Sequence, residues 1–290
     1  MHSLRQHAAR YFTVFLLTGL ALGLPASAAA QSSAKPGQDY TPSVGQEGKD
    51  VIWVPTPNEL VEKMLDMAKL TARDIHFDLG SGDGRTVIAA AKRGAQAVGI
   101  EYNPDMVVLS ERNAAKEGVA GKAKFIRGDI FESDFRHATV ITLYLLPDLN
   151  LKLRPTLLKM KPGTRVVSHA FTMDDWQPDQ TESVEGRTAY LWIVPASVEG
   201  DWKLQLQGGS GVQQYDVALK QNFQKIGGSA RAGDKPVALQ RAVLSGDQIR
   251  FTIADGASQT EFTGRADGNK LEGTVRLPNG VAKWTATKSN

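Results

Sequence analysis

The sequence of 290 residues contains no cysteine. Without thiols the chain cannot form disulfides, zinc–thiolate sites or iron–sulfur clusters, and it cannot use a cysteine nucleophile. Its chemistry must therefore use oxygen and nitrogen groups or a bound cofactor. Since no cluster of His, Asp and Glu has the spacing of a metal site, we expect a reaction that needs no metal.

The sequence also lacks an excess of charge. It has 34 Lys and Arg against 31 Asp and Glu, a formal net charge of +3. Two of the basic residues, Arg5 and Arg10, lie in a segment that we expect to be removed, which would leave a net charge of +1. A charge this close to zero gives no electrostatic support for binding nucleic acid, so we expect no nucleic-acid partner.

The first thirty residues have the pattern of an export signal. Residues 1–11 carry both of these arginines and no acid, and the apolar run Phe12–Leu24 is shorter than the ~20 residues of a transmembrane helix. Ala26-Ser27-Ala28 and Ala28-Ala29-Ala30 both fit a cleavage site between small residues. We interpret residues 1–30 as a signal peptide cleaved after Ala28 or Ala30, with an uncleaved anchor as the alternative. Either way, the folded part is expected outside the cytoplasm, periplasmic or secreted, with no stable transmembrane segment after processing.

Residues 31–50 are predicted to be a linker, because Gln31–Gly48 is rich in Ser, Gly, Pro and Gln. Beyond the linker, the hydrophobic periodicity divides the chain into residues 51–195 and residues 198–290.

The first of these parts alternates strand-length apolar runs with amphipathic helices. The predicted helices are Asn58–Ala68, Gly84–Arg93, Pro104–Glu117 and Asp148–Lys159, and the predicted strands are Asp74–Leu79, Ala97–Glu101, Ala123–Arg127, Thr139–Leu145 and Arg165–Ala170. Strands joined by such helices need crossover connections, so we predict an α/β fold with a doubly wound, mostly parallel sheet. Gln180–Val194 is predicted to form a hairpin that adds antiparallel strands at the sheet edge.

The second part lacks the helical period. Turn signals recur at Gly208-Gly209, Gly227-Gly228, Gly233-Asp234, Gly246-Asp247, Asp255-Gly256, Asp267-Gly268 and Asn279-Gly280. The segments between them alternate apolar and polar residues, which predicts a small antiparallel all-β accessory domain, either a barrel or a sandwich. Trp202 and Trp284 are expected in its core rather than on a ligand surface.

The most informative motif is Asp78-Leu79-Gly80-Ser81-Gly82-Asp83-Gly84-Arg85, where the first strand turns into a helix. Its glycines allow a sharp turn and the close approach of a ligand. A dinucleotide loop has the spacing G-x-G-x-x-G, whereas this loop has G-x-G-x-G and Arg85 in place of the last glycine. A phosphate charge ~5 Å from one of the flanking acids would be disfavoured by about 3 kcal/mol at an effective dielectric near 20. The loop therefore suits a cationic ligand without phosphate, such as S-adenosylmethionine.

Two further acids extend this pattern. Glu101 ends the second strand, where its carboxylate can accept hydrogen bonds from both hydroxyls of a ribose. Asp129 follows the third strand, where it can accept from the amino group of adenine while Ile130 packs on the ring.

With these residues, the chain resembles the class I S-adenosylmethionine-dependent methyltransferases over residues 51–194. Gly99-Ile100-Glu101-Tyr102-Asn103-Pro104 and Val54-Pro55-Thr56-Pro57 are similar in particular to small protein-lysine methyltransferases that act on mitochondrial membrane proteins. The resemblance implies a Rossmann-like methyltransferase domain with S-adenosylmethionine as cofactor and Trp53–Pro57 as a lid. The cofactor-binding residues that it implies or that lie in the matching motifs are Asp78, Gly80, Ser81, Gly82, Asp83, Gly84, Arg85, Glu101, Asn103, Asp129 and Ile130.

The acceptor pocket is expected after the fourth strand. Enzymes that methylate exocyclic or amide nitrogens often carry (Asp/Asn)-Pro-Pro-(Tyr/Phe) there, and Leu143–Asp148 differs from this motif, which argues against nucleic-acid or glutamine methylation. Tyr144 and His169 fall near carboxyl ends of strands and are the candidate catalytic residues, with a core or rim position as the alternative. His76, inside the first strand, is expected to be a satisfied core residue. The acceptor stays unidentified, and the resemblance favours a lysine of an envelope protein.

Two other functions stay open from the sequence. A non-catalytic protein would bind the nucleoside and use its β domain for partner contacts. A dinucleotide oxidoreductase would use Glu101 for the NAD ribose, although the loop spacing and the two acids argue against it. The leading hypothesis is an exported methyltransferase.

Overall fold

The computed structural model describes residues 40–208, 211–278 and 280–289. The predicted signal peptide and most of the predicted linker lie outside these residues. Among the described residues, every helix falls short of the length and hydropathy that a bilayer-spanning segment requires.

The amino-terminal part is an α/β domain. Its elements are α1 (Asn58–Met67), β1 (Ile75–Leu79), α2 (Arg85–Lys92), β2 (Gln96–Glu101), α3 (Pro104–Lys116), β3 (Ala123–Arg127), β4 (Val140–Leu143), α4 (Pro147–Leu157), β5 (Arg165–His169), β6 (Gln180–Val184) and β7 (Arg187–Ile193). In the described chain, seven strands form one sheet in the order β3-β2-β1-β4-β5-β7-β6. Strands β1 to β5 are parallel to their neighbours, and β6 and β7 form the antiparallel edge. The predicted doubly wound sheet and its edge hairpin are confirmed.

The strand order reverses at β1, which places a crevice at the carboxyl edge of the sheet. Asp78 on β1 is opposite Gly99 of β2 on one side and opposite Thr142 of β4 on the other. Helices leave from such a point towards opposite faces of the sheet, so ligands bind between them. The predicted cofactor residues follow β1, β2 and β3, and the predicted acceptor residues follow β4 and end β5. The topology therefore collects them along one edge.

The carboxyl-terminal part is a barrel, which decides between the two predicted architectures. Its strands are β8 (Gly200–Gly208), β9 (Gly211–Asn222), β10 (Lys225–Ala232), β11 (Lys235–Ser245), β12 (Gln248–Asp255), β13 (Ser258–Asp267), β14 (Lys270–Leu277) and β15 (Gly280–Lys288). They close in the order β10-β11-β12-β13-β14-β15-β8-β9 among the described residues. Trp202 and Trp284 are buried in its interior, where Trp284 contacts Phe251 and Phe262 edge to face. The prediction that both tryptophans are core residues is confirmed.

One predicted turn of the barrel is wrong. Gly227-Gly228 lies inside β10, and the chain turns instead at Phe223-Gln224. Gly228 is required by close strand contact, because a Cβ there would lie 1.9 Å from the carbonyl oxygen of Ala218. Phe223 itself has φ +53°, a conformation that glycine usually adopts, so the sequence carried no turn signal at this position.

Phe223 also joins the barrel to the α/β domain. Its ring stacks on Trp176 with centroids 6.0 Å apart, and the Arg154 guanidinium lies 5.7 Å from its centroid. Gln224 Nε2 donates to the Gln177 carbonyl at 2.6 Å. The turn between β9 and β10 is therefore packed against the segment that follows β5.

Candidate active site

A cavity of about 820 Å³ opens at the carboxyl edge of the sheet, next to β1. The predicted residues that line it are Asp78, Gly80, Ser81, Gly82, Asp83, Arg85, Glu101, Asn103, Asp129, Ile130 and Tyr144. Gly84 and His169 do not belong to this lining. The structure thus brings together most of a site that the sequence spreads over residues 78–144.

The glycine loop forms the floor of this cavity. Gly82 has φ +53°, and a Cβ on it would lie 2.6 Å from Trp53 Nε1. Gly84 caps α2 and packs behind the loop, where a Cβ would lie 2.8 Å from the Phe125 ring and from Ser110. We therefore correct the prediction for Gly84: it shapes the loop from behind and does not face the ligand.

Glu101 connects the end of β2 to the glycine loop. Its Oε2 accepts from the Gly82 backbone N–H and its Oε1 from the Asn103 N–H, both at 2.9 Å. Burial raises the pKa of this carboxyl, while the backbone donors oppose the shift. Each oxygen keeps a lone pair for a further donor, as binding to ribose hydroxyls requires. Asn103 also caps α3 by accepting from the Asp105 N–H at 2.9 Å.

Asp78 lies deeper and has fewer donors. The Thr142 hydroxyl donates to its Oδ1 at 2.6 Å. Burial raises its pKa to about 7, and the nearby charges of Glu101 and Asp83 add to the rise. A buried carboxyl held in this way gains most from a cationic partner, which fits the ammonium of the methionine part of the predicted cofactor.

His76 continues this chain of hydrogen bonds. Because the Thr142 hydroxyl donates to Asp78, its oxygen accepts from His76 Nε2 at 2.9 Å. His76 is fully buried, and burial lowers its pKa to about 3. Its Nδ1 has no partner in the described part of the chain. His76 is therefore a core residue, as expected, but only one of its two ring nitrogens is satisfied.

Asp129 lies at the other end of the cavity. It accepts from the Phe131 N–H at 2.9 Å and forms an ion pair with Lys49. The hydrogen bond from Lys49 lowers the pKa of Asp129, so the carboxylate stays ionised. Lys49 Nζ also lies 5.1 Å from the ring centroid of Tyr102.

Sequence reasoning missed Tyr102. This ring lines the cavity, is 51% exposed and offers an apolar face for a purine. Its position directly after the ribose-binding acid was the available signal.

The segment before α1 covers the cavity as predicted, but it starts earlier. The residues that line the cavity on this side run from Gln46 to Thr56, which we call the lid. Trp53 exchanges backbone hydrogen bonds with Gly45 and Gln46 at 2.9 and 2.8 Å. The predicted linker therefore reaches into the site over residues 46–50.

Arg85 holds the lid to the glycine loop. Its guanidinium donates to the Thr56 carbonyl at 3.0 Å and forms an ion pair with Asp83 at 2.6 Å. Arg85 thus balances the charge of one loop acid and fixes the end of the lid.

The predicted acceptor residues Tyr144 and His169 are in contact. Their ring centroids lie 3.8 Å apart, and His169 Nδ1 is 3.1 Å from Thr56 Oγ1 in the lid. Burial lowers the pKa of His169 to about 4, and the charge of Arg187 lowers it further, so the ring is neutral at neutral pH. The candidate catalytic pair is therefore assembled next to the lid.

A second cavity of about 350 Å³ lies beside this pair. It shares Val54, Pro55 and Tyr144 with the cofactor cavity, whereas His169 lines the second cavity alone. Tyr144 and the lid thus stand between the two spaces.

The described residues contain no group of three or more His, Asp or Glu side chains able to hold a metal ion. Metal independence stays a prediction.

Comparison with known proteins agrees with the geometry of the site. Residues 78–180 match the family described as the ANTKMT methyltransferase domain. A protein-lysine N-methyltransferase of Saccharolobus islandicus is 44% identical over 151 residues, which are 50% of this chain and 94% of that protein. A human lysine N-methyltransferase named for ATP synthase is 34% identical over 186 residues, 63% of this chain and 75% of that protein.

A solved structure described as an RNA methyltransferase from Salinibacter ruber in complex with S-adenosyl-L-homocysteine is 50% identical. It covers 50% of this chain and 96% of that chain, with a TM-score of 0.49.

The relatives at the level of sequence are methyltransferases, so a purely binding protein and a dinucleotide oxidoreductase are set aside. The cavity is large enough for S-adenosylmethionine, and Asp78, Glu101 and the glycine loop match its charges and hydroxyls. The chain belongs to the class I S-adenosylmethionine-dependent methyltransferase family that includes the protein-lysine methyltransferase of S. islandicus.

Proposed function

We propose that the protein transfers a methyl group from S-adenosylmethionine to the ε-amine of a lysine in another protein. Relatives named as lysine methyltransferases support this acceptor. The observation that carries the proposal is the pair of Tyr144 and His169, which lies at the wall of the cofactor cavity and beside a second cavity. A long, thin side chain suits this arrangement better than a flat nucleobase does.

The reaction asks the chain mainly for alignment and exclusion of water. When bound, S-adenosylmethionine supplies a methyl group activated by its sulfonium. Asp78 binds the ammonium end, Glu101 holds the ribose, and the lid covers the cavity. The Tyr144 ring faces the acceptor side, where its π face favours the positive charge that passes from sulfur to nitrogen.

The test is product identification. The purified full-length protein, given labelled S-adenosylmethionine and an envelope extract of its own organism, is expected to label protein, and mass spectrometry is expected to find Nε-methyllysine. The Glu101→Ala variant serves as control, because it removes the ribose acceptor, and it should give little label. Label that ribonuclease removes and protease does not would contradict a lysine acceptor.

We also propose that the protein acts outside the cytoplasm. The support is the pattern of residues 1–30 in the sequence. Mass spectrometry of the protein from fractionated cells is expected to find an amino terminus at Ala29 or Gln31 in the periplasm or medium. An intact Met1 terminus in the cytoplasmic fraction would reject this proposal.

A further inference from the structure

The second cavity has a wall that differs in charge from the cofactor cavity. It is lined by Val54, Pro55, Tyr144, His169, Ala170, Gly186, Arg187, Thr188 and Tyr190. No Asp or Glu occurs among these described residues, whereas the cofactor cavity contains Asp78, Asp83 and Glu101. The charged group on its wall is the guanidinium of Arg187, which is exposed at the start of β7.

The field of Arg187 reaches into this cavity. The His169 ring is buried, and the positive charge of Arg187 adds to burial in lowering its pKa. Both effects disfavour a cation near this ring. The other titratable groups that face the cavity are the phenols of Tyr144 and Tyr190. Glu185 precedes Arg187 by two residues in the β6–β7 turn and does not line the cavity.

The backbone at the inner wall is held in an unusual conformation. Ala170, directly after β5, has φ +65°, which costs energy for any residue with a Cβ. The Ala170 N–H donates to the Thr188 carbonyl at 2.8 Å, so the strand that carries Arg187 fixes this bend. Such strain is commonly kept where a site must hold its shape.

We propose that the second cavity admits the acceptor amine in its uncharged form, because the Arg187 guanidinium opposes entry of an ammonium. This inference rests on the proposed lysine methylation and adds how the nucleophile is prepared. Only a neutral amine has a free lone pair, so a site that excludes the ammonium selects the reactive species.

The step balances without a further reagent. The lysine ammonium loses its proton to solvent as it enters the cavity. The nitrogen lone pair then forms the new N–C bond while the S–C bond breaks and the sulfur keeps that electron pair. The positive charge moves to the methylated nitrogen, and Arg187 then favours release of the product.

The first test measures binding of n-butylamine, a mimic of the lysine side chain, to the full-length protein saturated with S-adenosylhomocysteine. A site for the neutral amine predicts an affinity that rises about 100-fold between about pH 7 and pH 9, because free alkylamines titrate near 10.4. In Arg187→Gln this rise should be smaller, and Arg187→Lys should restore it. An affinity that does not rise with pH, or butyrate binding in place of butylamine, overturns the inference.

The second test uses turnover on a methylated lysine substrate. In Arg187→Gln the bound amine keeps its proton to higher pH, so the acid limb of the kcat profile should move up by about half to one unit. At neutral pH both kcat and KM should fall, whereas kcat at high pH should match the wild type. Arg265→Gln, on the barrel surface with Asp247 as partner at 2.8 Å, is the matched control and should leave the profile unchanged.

The outcomes separate this inference from the proposed function. Methyllysine formation with a superimposable Arg187→Gln profile overturns the inference alone. Binding of neutral butylamine with no methyllysine in any extract overturns the lysine proposal and leaves an amine site.

Discussion

At the scale of residues, two acids of the same cavity have different environments and therefore different tasks. Glu101 accepts two backbone N–H bonds, which favour its ionised form against burial. Asp78 accepts one hydroxyl and sits among other acids, so its pKa rises to about 7. The first is suited to accept from neutral hydroxyls, and the second needs a cation.

Glu101→Ala is expected to weaken cofactor binding by ~1.5–3 kcal/mol, because charge-assisted hydrogen bonds to the ribose are lost. Calorimetric titration with S-adenosylhomocysteine measures the change. Glu117→Ala, which removes an exposed acid paired with Lys92, is the control and should bind normally. An unchanged dissociation constant in Glu101→Ala would mean that the ribose lies elsewhere.

Asp78 predicts that cofactor binding releases a proton below neutral pH. With a free pKa of about 7, this carboxyl is mostly protonated at lower pH, and the ammonium of the ligand requires its ionised form. Binding should therefore tighten as the pH rises towards about 7 and then level off. Calorimetry in two buffers of different ionisation enthalpy counts the proton. Asp78→Asn should remove this pH dependence, and its persistence would reject the assignment.

At the scale of elements, the glycine loop and the lid fit each other. Trp53 lies over Gly82 at a distance that no side chain could share, and Arg85 binds the Thr56 carbonyl. A change in the loop should therefore displace the lid as well as the ligand.

Gly82→Ala is expected to lower both stability and cofactor affinity. Its left-handed backbone costs about 1–2 kcal/mol with a Cβ, and the contact with Trp53 adds to this. Gly118→Ala is the matched control, because Gly118 has φ +70° but open space around it, so it reports the backbone cost alone. Thermal unfolding and titration with S-adenosylhomocysteine measure both effects. Equal losses in the two variants would argue against a contact between lid and loop.

At the scale of the whole molecule, the barrel is tied to the catalytic domain close to the acceptor side. Phe223 stacks on the buried Trp176, in the segment that also contains Phe171, a residue of the cofactor cavity. The barrel therefore contributes to the packing of a segment that shapes the site.

Phe223→Ala is expected to destabilise the protein by about 2–3 kcal/mol, through loss of this aromatic packing. Chemical denaturation measures the free energy of unfolding. Val281→Ala, at a barrel position that is 69% exposed, should change it by less than about 0.5 kcal/mol. If Phe223→Ala is as stable as the control, the barrel is not held through this turn.

The sequence by itself determined the sheet, the glycine loop and the acids Asp78, Glu101 and Asp129, because each depends on local pattern: apolar runs, turn residues and acids at strand ends. It also determined that the second part is all β, but not whether its strands close, since closure depends on pairing between distant strands.

Tertiary structure alone decided the contacts between residues far apart in the chain. Lys49 meets Asp129, Thr56 meets His169, and the field of Arg187 reaches the cavity beside Tyr144. Gly84 was misplaced for the same reason, since packing against Phe125 and Ser110 decides which side of the loop it faces. Local pattern specifies which groups are present at the edge of the sheet, and packing specifies which of them face the ligand.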